Sequence, residues 1–253
     1  MTTTRRITFE GPINFRDLGG YETADGRALR WGRLYRSDSL HTVTPTDIPL
    51  LRELGIRTAI DFRSGDEISR LGIGPLGEVS VAHVHCPTFD TATREAADAA
   101  AQLPFDMSSA ASFYEQMMTR GSGAYVAALD SIVRADSLPA VFYCLAGKDR
   151  TGCFAALVLG LLGVDDDTIV ADYALTQDVV PLLTERRLQR DGVAIEAERW
   201  KDIPEDLKGA HAHTMEELIA RVHARWGGWQ DYASAVGVPD DVVTRLRDEL
   251  LET

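Results

Sequence analysis

The chain has 253 residues, a formal net charge of -13 and 45% apolar residues, a globular composition that excludes disordered and fibrous classes. Its 39 Asp and Glu against 26 Lys and Arg argue against nucleic acid and against adhesion to anionic membranes, though not against an anionic substrate met by a local positive cluster. Three cysteines are too few for a disulfide framework. With no apolar leader behind Met1 and no apolar run beyond Cys153 to Val164, they set a cytoplasmic chain without a transmembrane segment as the expectation.

In chain order, Arg6 to Phe9 reads as a short edge strand. Asp25-Gly26 suits a two-residue hairpin turn, with Leu29 to Tyr35 as the strand beyond it. Thr44-Pro45-Thr46-Asp47 carries helix-start signals: a hydroxyl cap, Pro at the first helical position and an acid at the third. Leu50, Leu51 and Leu54 form its buried stripe, and Gly55 ends it. Arg57 to Phe62 and Ala140 to Cys144 read as buried parallel strands, with Val81 to Cys86 as a third. Residues 96–101 read as a short helix or loop, and Ala110 to Ala135 as a long helix. Beyond Arg150 the pattern is almost wholly helical, punctuated by Gly163 and Pro239. Asp165-Asp166-Asp167 supplies a helix cap with dipole-matched acids. No linker divides the chain. The expected fold is α/β over 1–253, a central mostly parallel sheet flanked by helices with a helical C-terminal part.

The stretch that carries chemistry is Val141 to Gly152. A buried strand ends at Cys144, a short loop follows, and an apolar helix begins near Thr151. Such a loop aims backbone N–H groups at one point, where the helix dipole is also positive, and so cradles an anion. A cysteine beneath that cradle has its thiolate favoured by the same field. Arg150 returns to the rim with a fork that can hold two phosphate oxygens, and Gly147 lets the loop curl tightly. A nucleotide-binding loop would need Gly at position 142 and a hydroxyl at 149. Phe142 and Asp149 stand there.

Cys144-x5-Arg150, with Ala146-Gly147-Lys148-Asp149-Arg150-Thr151-Gly152 around it, resembles the loop of the bacterial tyrosine/serine protein phosphatase family. Asn14-Phe15-Arg16-Asp17-Leu18-Gly19-Gly20 is similar to that family's N-terminal segment. Leu34 to Asp38, Ile60-Asp61-Phe62-Arg63-Ser64 with Glu67 behind, and Met215 to Leu251 extend the resemblance over nearly the whole chain. The resemblance implies a protein-tyrosine-phosphatase-like fold with a helical lid over 177–212. It implies a phosphomonoesterase without metal or cofactor, acting on a phosphoprotein or a small phosphoester, phosphoinositides included. Cys144 would be the nucleophile forming a thiophosphate. Leu145, Ala146, Gly147, Lys148, Asp149 and Arg150 would bind phosphate, and Thr151 would assist the sulfur. Asp61 would be the general acid, with Asp90 and Asp106 as competitors. Asn14, Phe15, Arg16 and Asp17 would support the site. One departure stands beside Cys144: Tyr143 occupies the place of the family's usual His. It motivates an alternative reading, a phosphate-binding pseudophosphatase. His83 with His85 and His211 with His213 lack the further ligands that a metal site needs. Arg186, Arg187 and Arg190 form a basic cluster on the expected lid, either solvated or turned to the pocket.

Overall fold

The computed structural model describes residues 4–88, 106, 108–191 and 204–253. Five strands form one sheet: β1 (Arg16–Asp17), β2 (Leu34–Ser37), β3 (Thr58–Asp61), β4 (Ala82–His85) and β5 (Ala140–Tyr143), in the order β1-β2-β5-β3-β4. β1 runs antiparallel to β2, and every other pairing is parallel. β5 lies at the centre with all its residues buried, which explains its unbroken apolar run.

Side chains alternate across that strand. Phe142 and Cys144 join the core on one face with Ile60 and Phe62. Val141 and Tyr143 join the smaller core on the other face with Ala59, Phe15 and Tyr35. This period-2 division decides which residues can reach the site.

The helices among the described residues are α1 (Ile48–Glu53), α2 (Gly65–Leu71), α3 (Ala110–Arg120), α4 (Ser122–Ile132), α5 (Asp149–Leu162), α6 (Asp166–Ala174), α7 (Val180–Asp191), α8 (Glu205–Lys208), α9 (Ala212–Trp226), α10 (Trp229–Ala235) and α11 (Asp240–Leu250). α5 is buried almost all round. It packs on β2 and β5 and is covered by α3, α6, α10 and α11, so it needs no polar stripe. Phe154 on α5 meets Phe62, Phe142 and Tyr125 at centroid distances of 5.0, 4.9 and 5.6 Å. Each such buried ring contributes about 1.5–3 kcal/mol. This cluster fixes the helix beneath the strand end that carries Cys144.

Four sequence expectations shift. The strand expected over Leu29 to Tyr35 is Leu34–Ser37, and Leu29 instead bridges Leu251. The edge strand expected at Arg6 reduces to one bridge, Arg6 to Arg16. Helix α1 starts later than Thr44 because the Asp47 carboxylate accepts from the Thr44, Glu10 and Gly11 N–H groups, pinning that loop outside the helix. The long helix expected over Ala110 to Ala135 is two, parted at Gly121. There a Cβ would sit 3.0 Å from Thr88 O, so only glycine allows that approach.

Candidate active site

The loop between β5 and α5 is built by its anchors. Ser39 N–H donates to Leu145 O at 3.2 Å. Asn14 Nδ2 donates to Ala146 O at 3.1 Å and to Gly147 O at 3.2 Å, and Arg36 Nη2 donates to Gly147 O at 2.9 Å. In a planar trans peptide the C=O and the following N–H point in opposite directions. Tying these carbonyls into the scaffold therefore turns the N–H groups of Ala146, Gly147 and Lys148 the other way, at the N-terminus of α5. Gly147 has φ +65°, and a Cβ there would lie 2.5 Å from Ser37 O. No other residue fits that turn.

The anchors are themselves held by a buried charge cluster. Asp172 on α6 accepts from Arg16 Nε at 3.0 Å, Arg36 Nη1 at 2.5 Å and the Tyr21 hydroxyl at 3.0 Å. Arg16 Nη1 donates to Asn14 Oδ1 at 2.6 Å. Arg16, Arg36 and Asp172 are each at most 1% exposed. Burial opposes ionisation of Asp172, yet the Arg16 and Arg36 charges outweigh it and hold the carboxyl below its usual range. Of the expected supporting residues, Asn14 thus reaches the loop directly, and Arg16 acts through Asn14 and Asp172. Arg36 and Asp172 were not singled out from sequence, because a lone Asp on an amphipathic helix shows nothing of its partners.

Arg150 is gripped by Glu67, with Nη1 to Oε2 at 2.6 Å and Nη2 to Oε1 at 3.0 Å. The guanidinium is thereby held in one plane. Burial opposes its charge, but Cys144, Glu67 and Asp149 more than offset it and raise its pKa. Glu67 also closes the capping box of α2, accepting from Ser64 N–H at 2.8 Å. Asp149, the first residue of α5, accepts from the Tyr114 hydroxyl at 2.6 Å, which meets the Tyr173 hydroxyl at 2.7 Å. Its side chain is 29% exposed. Thr151 is fully buried, and its Oγ1 has no hydrogen-bond partner among the described residues.

Cys144, Leu145, Ala146, Lys148, Asp149 and Arg150 line one cavity of about 280 Å³. Its other walls are the apolar Phe113, Val180, Leu183 and Leu207 together with Thr184, Arg187 and Lys208. α7 and α8, parts of the lid expected over 177–212, supply all of these but Phe113; residues 192–203 lie outside the described residues.

Several expected site residues fall elsewhere. Asp61 is fully buried and shares the Tyr143 face, since Asp61 pairs with Tyr143 across the sheet. It accepts from Arg63 Nε, Arg63 Nη2, His83 and the Tyr143 hydroxyl, the last at 3.0 Å. Burial favours its neutral form, but His83 and Arg63 hold it well below the usual carboxylate range. The structure thus places Asp61, expected as the general acid, off the cavity lining and among Arg63, His83 and Tyr143. Lys148 Nζ donates to the carbonyls of Leu207 at 2.5 Å and Gly209 at 3.1 Å and lies 3.3 Å from Asp149 Oδ1. Its backbone remains in the loop.

Tyr143, which stands where the resemblance implies His, points to the face opposite Cys144 and donates its hydroxyl to Asp61. Phe15 packs between Phe9 and Tyr35, and Asp17 accepts from the Gly19 and Gly32 N–H groups; both brace the N-terminal segment. Asp106 caps the Ser108 N–H and does not line the cavity. Asp90 lies outside the described residues.

Residues 7–252 match the family model described as the tyrosine phosphatase family. The triple specificity protein phosphatase PtpB of Mycobacterium tuberculosis is 29% identical over 273 residues, covering 95% of this chain and 97% of that protein. A Cupriavidus necator protein with a tyrosine-protein phosphatase name is 34% identical over 240 residues, covering 89% of this chain and 82% of its own length. The core catalytic domain of the Saccharomyces cerevisiae PP-IP phosphatase SIW14 overlaps at a TM-score of 0.39 and 15% identity, covering 73% of this chain and 96% of that one. Overlap at that level carries no argument.

Proposed function

The chain belongs to the tyrosine phosphatase family, and from that premise we propose that it is a cysteine-dependent phosphomonoesterase that prefers phosphotyrosine. The observation that carries this reading is the loop around Cys144, whose carbonyls are tied outward by Ser39, Asn14 and Arg36 while Arg150 faces the same cavity. Its N–H groups and the guanidinium match the oxygens of a phosphoryl group, whose transfer depends on alignment and charge placement.

The Cys144 thiolate attacks phosphorus in line with the leaving oxygen. The S–P bond forms as the P–O bond breaks, and the leaving oxygen takes a proton from a carboxylic acid. Water then attacks the thiophosphate, giving its proton to the resulting carboxylate. The P–S bond breaks, phosphate departs and the thiolate is restored. Asp149 is the carboxyl for this role. It lines the cavity beside Cys144 and is partly exposed, and the Tyr114–Tyr173 pair fixes its orientation. Phe113, Val180, Leu183 and Leu207 favour a phenyl ring over a hydrated inositol ring, which ranks phosphotyrosine ahead of phosphoserine and phosphoinositides.

The direct test is acid quenching during turnover of para-nitrophenyl phosphate, followed by peptide mass spectrometry. A phosphate adduct on Cys144 is expected. An adduct elsewhere, or turnover that needs a divalent ion, would overturn the mechanism.

The acid has its own test. An alkoxide leaves poorly without a proton, whereas para-nitrophenolate needs little help. Asp149→Asn is expected to reduce kcat on an alkyl phosphate by about 10²–10⁴-fold and on para-nitrophenyl phosphate by far less. If Asp61→Asn instead gives that selectivity in a folded protein, Asp149 is not the acid.

A further inference from the structure

Beside the catalytic cavity lies a second one of about 460 Å³. Leu145, Ala146, Leu183 and Arg187 line both, so one stretch of the phosphate loop and one face of α7 form the partition. The α7 wall of the second cavity is basic. Arg186, Arg187 and Arg190 line it from α7, against one carboxylate, Asp38. In a chain of charge -13 this is a local inversion of sign.

Helix stability does not account for the arrangement. Positions 186 and 190 are one turn apart, where like charges oppose helix formation. Arg186 is partly balanced, donating to Gly11 O and lying 4.0 Å from Asp38. Arg187 and Arg190 also have contacts of their own, so an incoming anion would join existing interactions. Across the cavity, burial and the charges of Arg63, Arg190 and Arg186 push His41 down to about 4. It is therefore neutral near pH 7 in a region of positive potential.

We propose that this second cavity is an anion subsite, and that the preferred substrate is a peptide with a second phosphomonoester close in sequence to the phosphotyrosine. The proposal rests on the phosphatase reading above and deepens it. The apolar side chains of the catalytic cavity take the phenyl ring, and the partition is the shared lining of Leu145, Ala146, Leu183 and Arg187. About three extended residues, at roughly 3.3 Å each, span such a wall. The arginine forks then receive the second phosphate.

The experiment compares one peptide carrying phosphotyrosine alone with the same peptide also phosphorylated on a serine three residues away. Dephosphorylation of the tyrosine is followed for both. The doubly phosphorylated form is expected to show at least a 10-fold higher kcat/KM at low salt, an advantage that shrinks in high salt. Arg190→Gln should bring the ratio of the two peptides close to one, and Arg190→Lys should restore part of it. Arg190 is exposed on α7, so the fold should survive both changes.

Calorimetric binding of both peptides to Cys144→Ser reads the subsite without turnover, and a 10-fold difference in Kd, about 1.4 kcal/mol, is expected there too. Equal Kd values, or an advantage untouched by Arg190→Gln, would overturn the subsite. So would tighter binding of vesicles bearing phosphoinositide than of either peptide. Loss of turnover on both peptides with the Kd difference intact would instead sink the phosphatase reading and leave the subsite standing.

Discussion

Cys144→Ser is expected to lower kcat on para-nitrophenyl phosphate by on the order of 10⁴-fold or more while leaving substrate binding largely intact. The exchange is nearly isosteric at a residue 1% exposed, so the loop should keep its shape. Two chemical changes act together. A serine hydroxyl is not ionised near neutral pH and attacks weakly. Any phosphoserine that formed would then have to expel an alkoxide where the native protein expels a thiolate. The anchored N–H groups and Arg150 do not depend on the sulfur, so the Kd for a phosphate ester should persist. Steady-state kinetics with calorimetry separates the two quantities. A loss of kcat below tenfold would mean that Cys144 is not the nucleophile.

The second large effect concerns stability. Asp172→Asn is expected to destabilise the protein by about 3–5 kcal/mol, because it leaves the buried Arg16 and Arg36 guanidiniums without their counter-charge. Burial and the neighbouring Arg16 push the Arg36 pKa down, so the two cations tolerate each other only through Asp172. At about 2–4 °C per kcal/mol for a chain of this size, the melting temperature should fall by roughly 6–20 °C. The pH dependence has a definite sign. The folded-state pKa of Asp172 is depressed, so its contribution is complete above the unfolded value of about 3.9 and fades as pH falls below it. The gap between native and variant should therefore narrow below about pH 4. Scanning calorimetry across pH measures both features, and a gap that widened in acid would contradict the ionised assignment. Activity should fall as well, since Arg36 and, through Arg16, Asn14 hold the loop carbonyls.

What the sequence revealed of this site follows from distance along the chain. Cys144, the loop and Arg150 lie within one strand-to-helix turn, so their chemistry is written locally. Asp172 meets Arg16 and Arg36 across 156 and 136 residues, and its surroundings, Ile169 to Tyr173, read as an ordinary helix. Glu67 entered only as a neighbour of the Ile60 to Ser64 segment; it closes the cap of α2, and its bond to Arg150 spans 83 residues. Asp61 shows the converse case. An Asp at a strand end looks the same whichever face it occupies. Only the register with Tyr143 puts it on the side away from Cys144. Asp149 was read as part of the phosphate loop, and its exposure and its contact with Tyr114 are what single it out. The central strands were legible because burial on both faces forces continuous apolar runs. The split at Gly121 was not, because it depends on a neighbouring backbone.

Glu67 links the site to a helix with little of its surface in the core. α2 buries no residue in the core and rests on its end cap and on the grip between Glu67 and Arg150. Segments with few apolar contacts open before the globule does. When α2 frays, the guanidinium loses the plane in which it meets phosphate, although sheet and core are untouched. Catalytic competence is then a property of a local equilibrium, set by a surface turn with a smaller free energy of opening than the fold itself. Mild denaturant or warming would silence the protein while its spectrum still looked native, and a phosphate seated against Arg150 would draw the turn closed again.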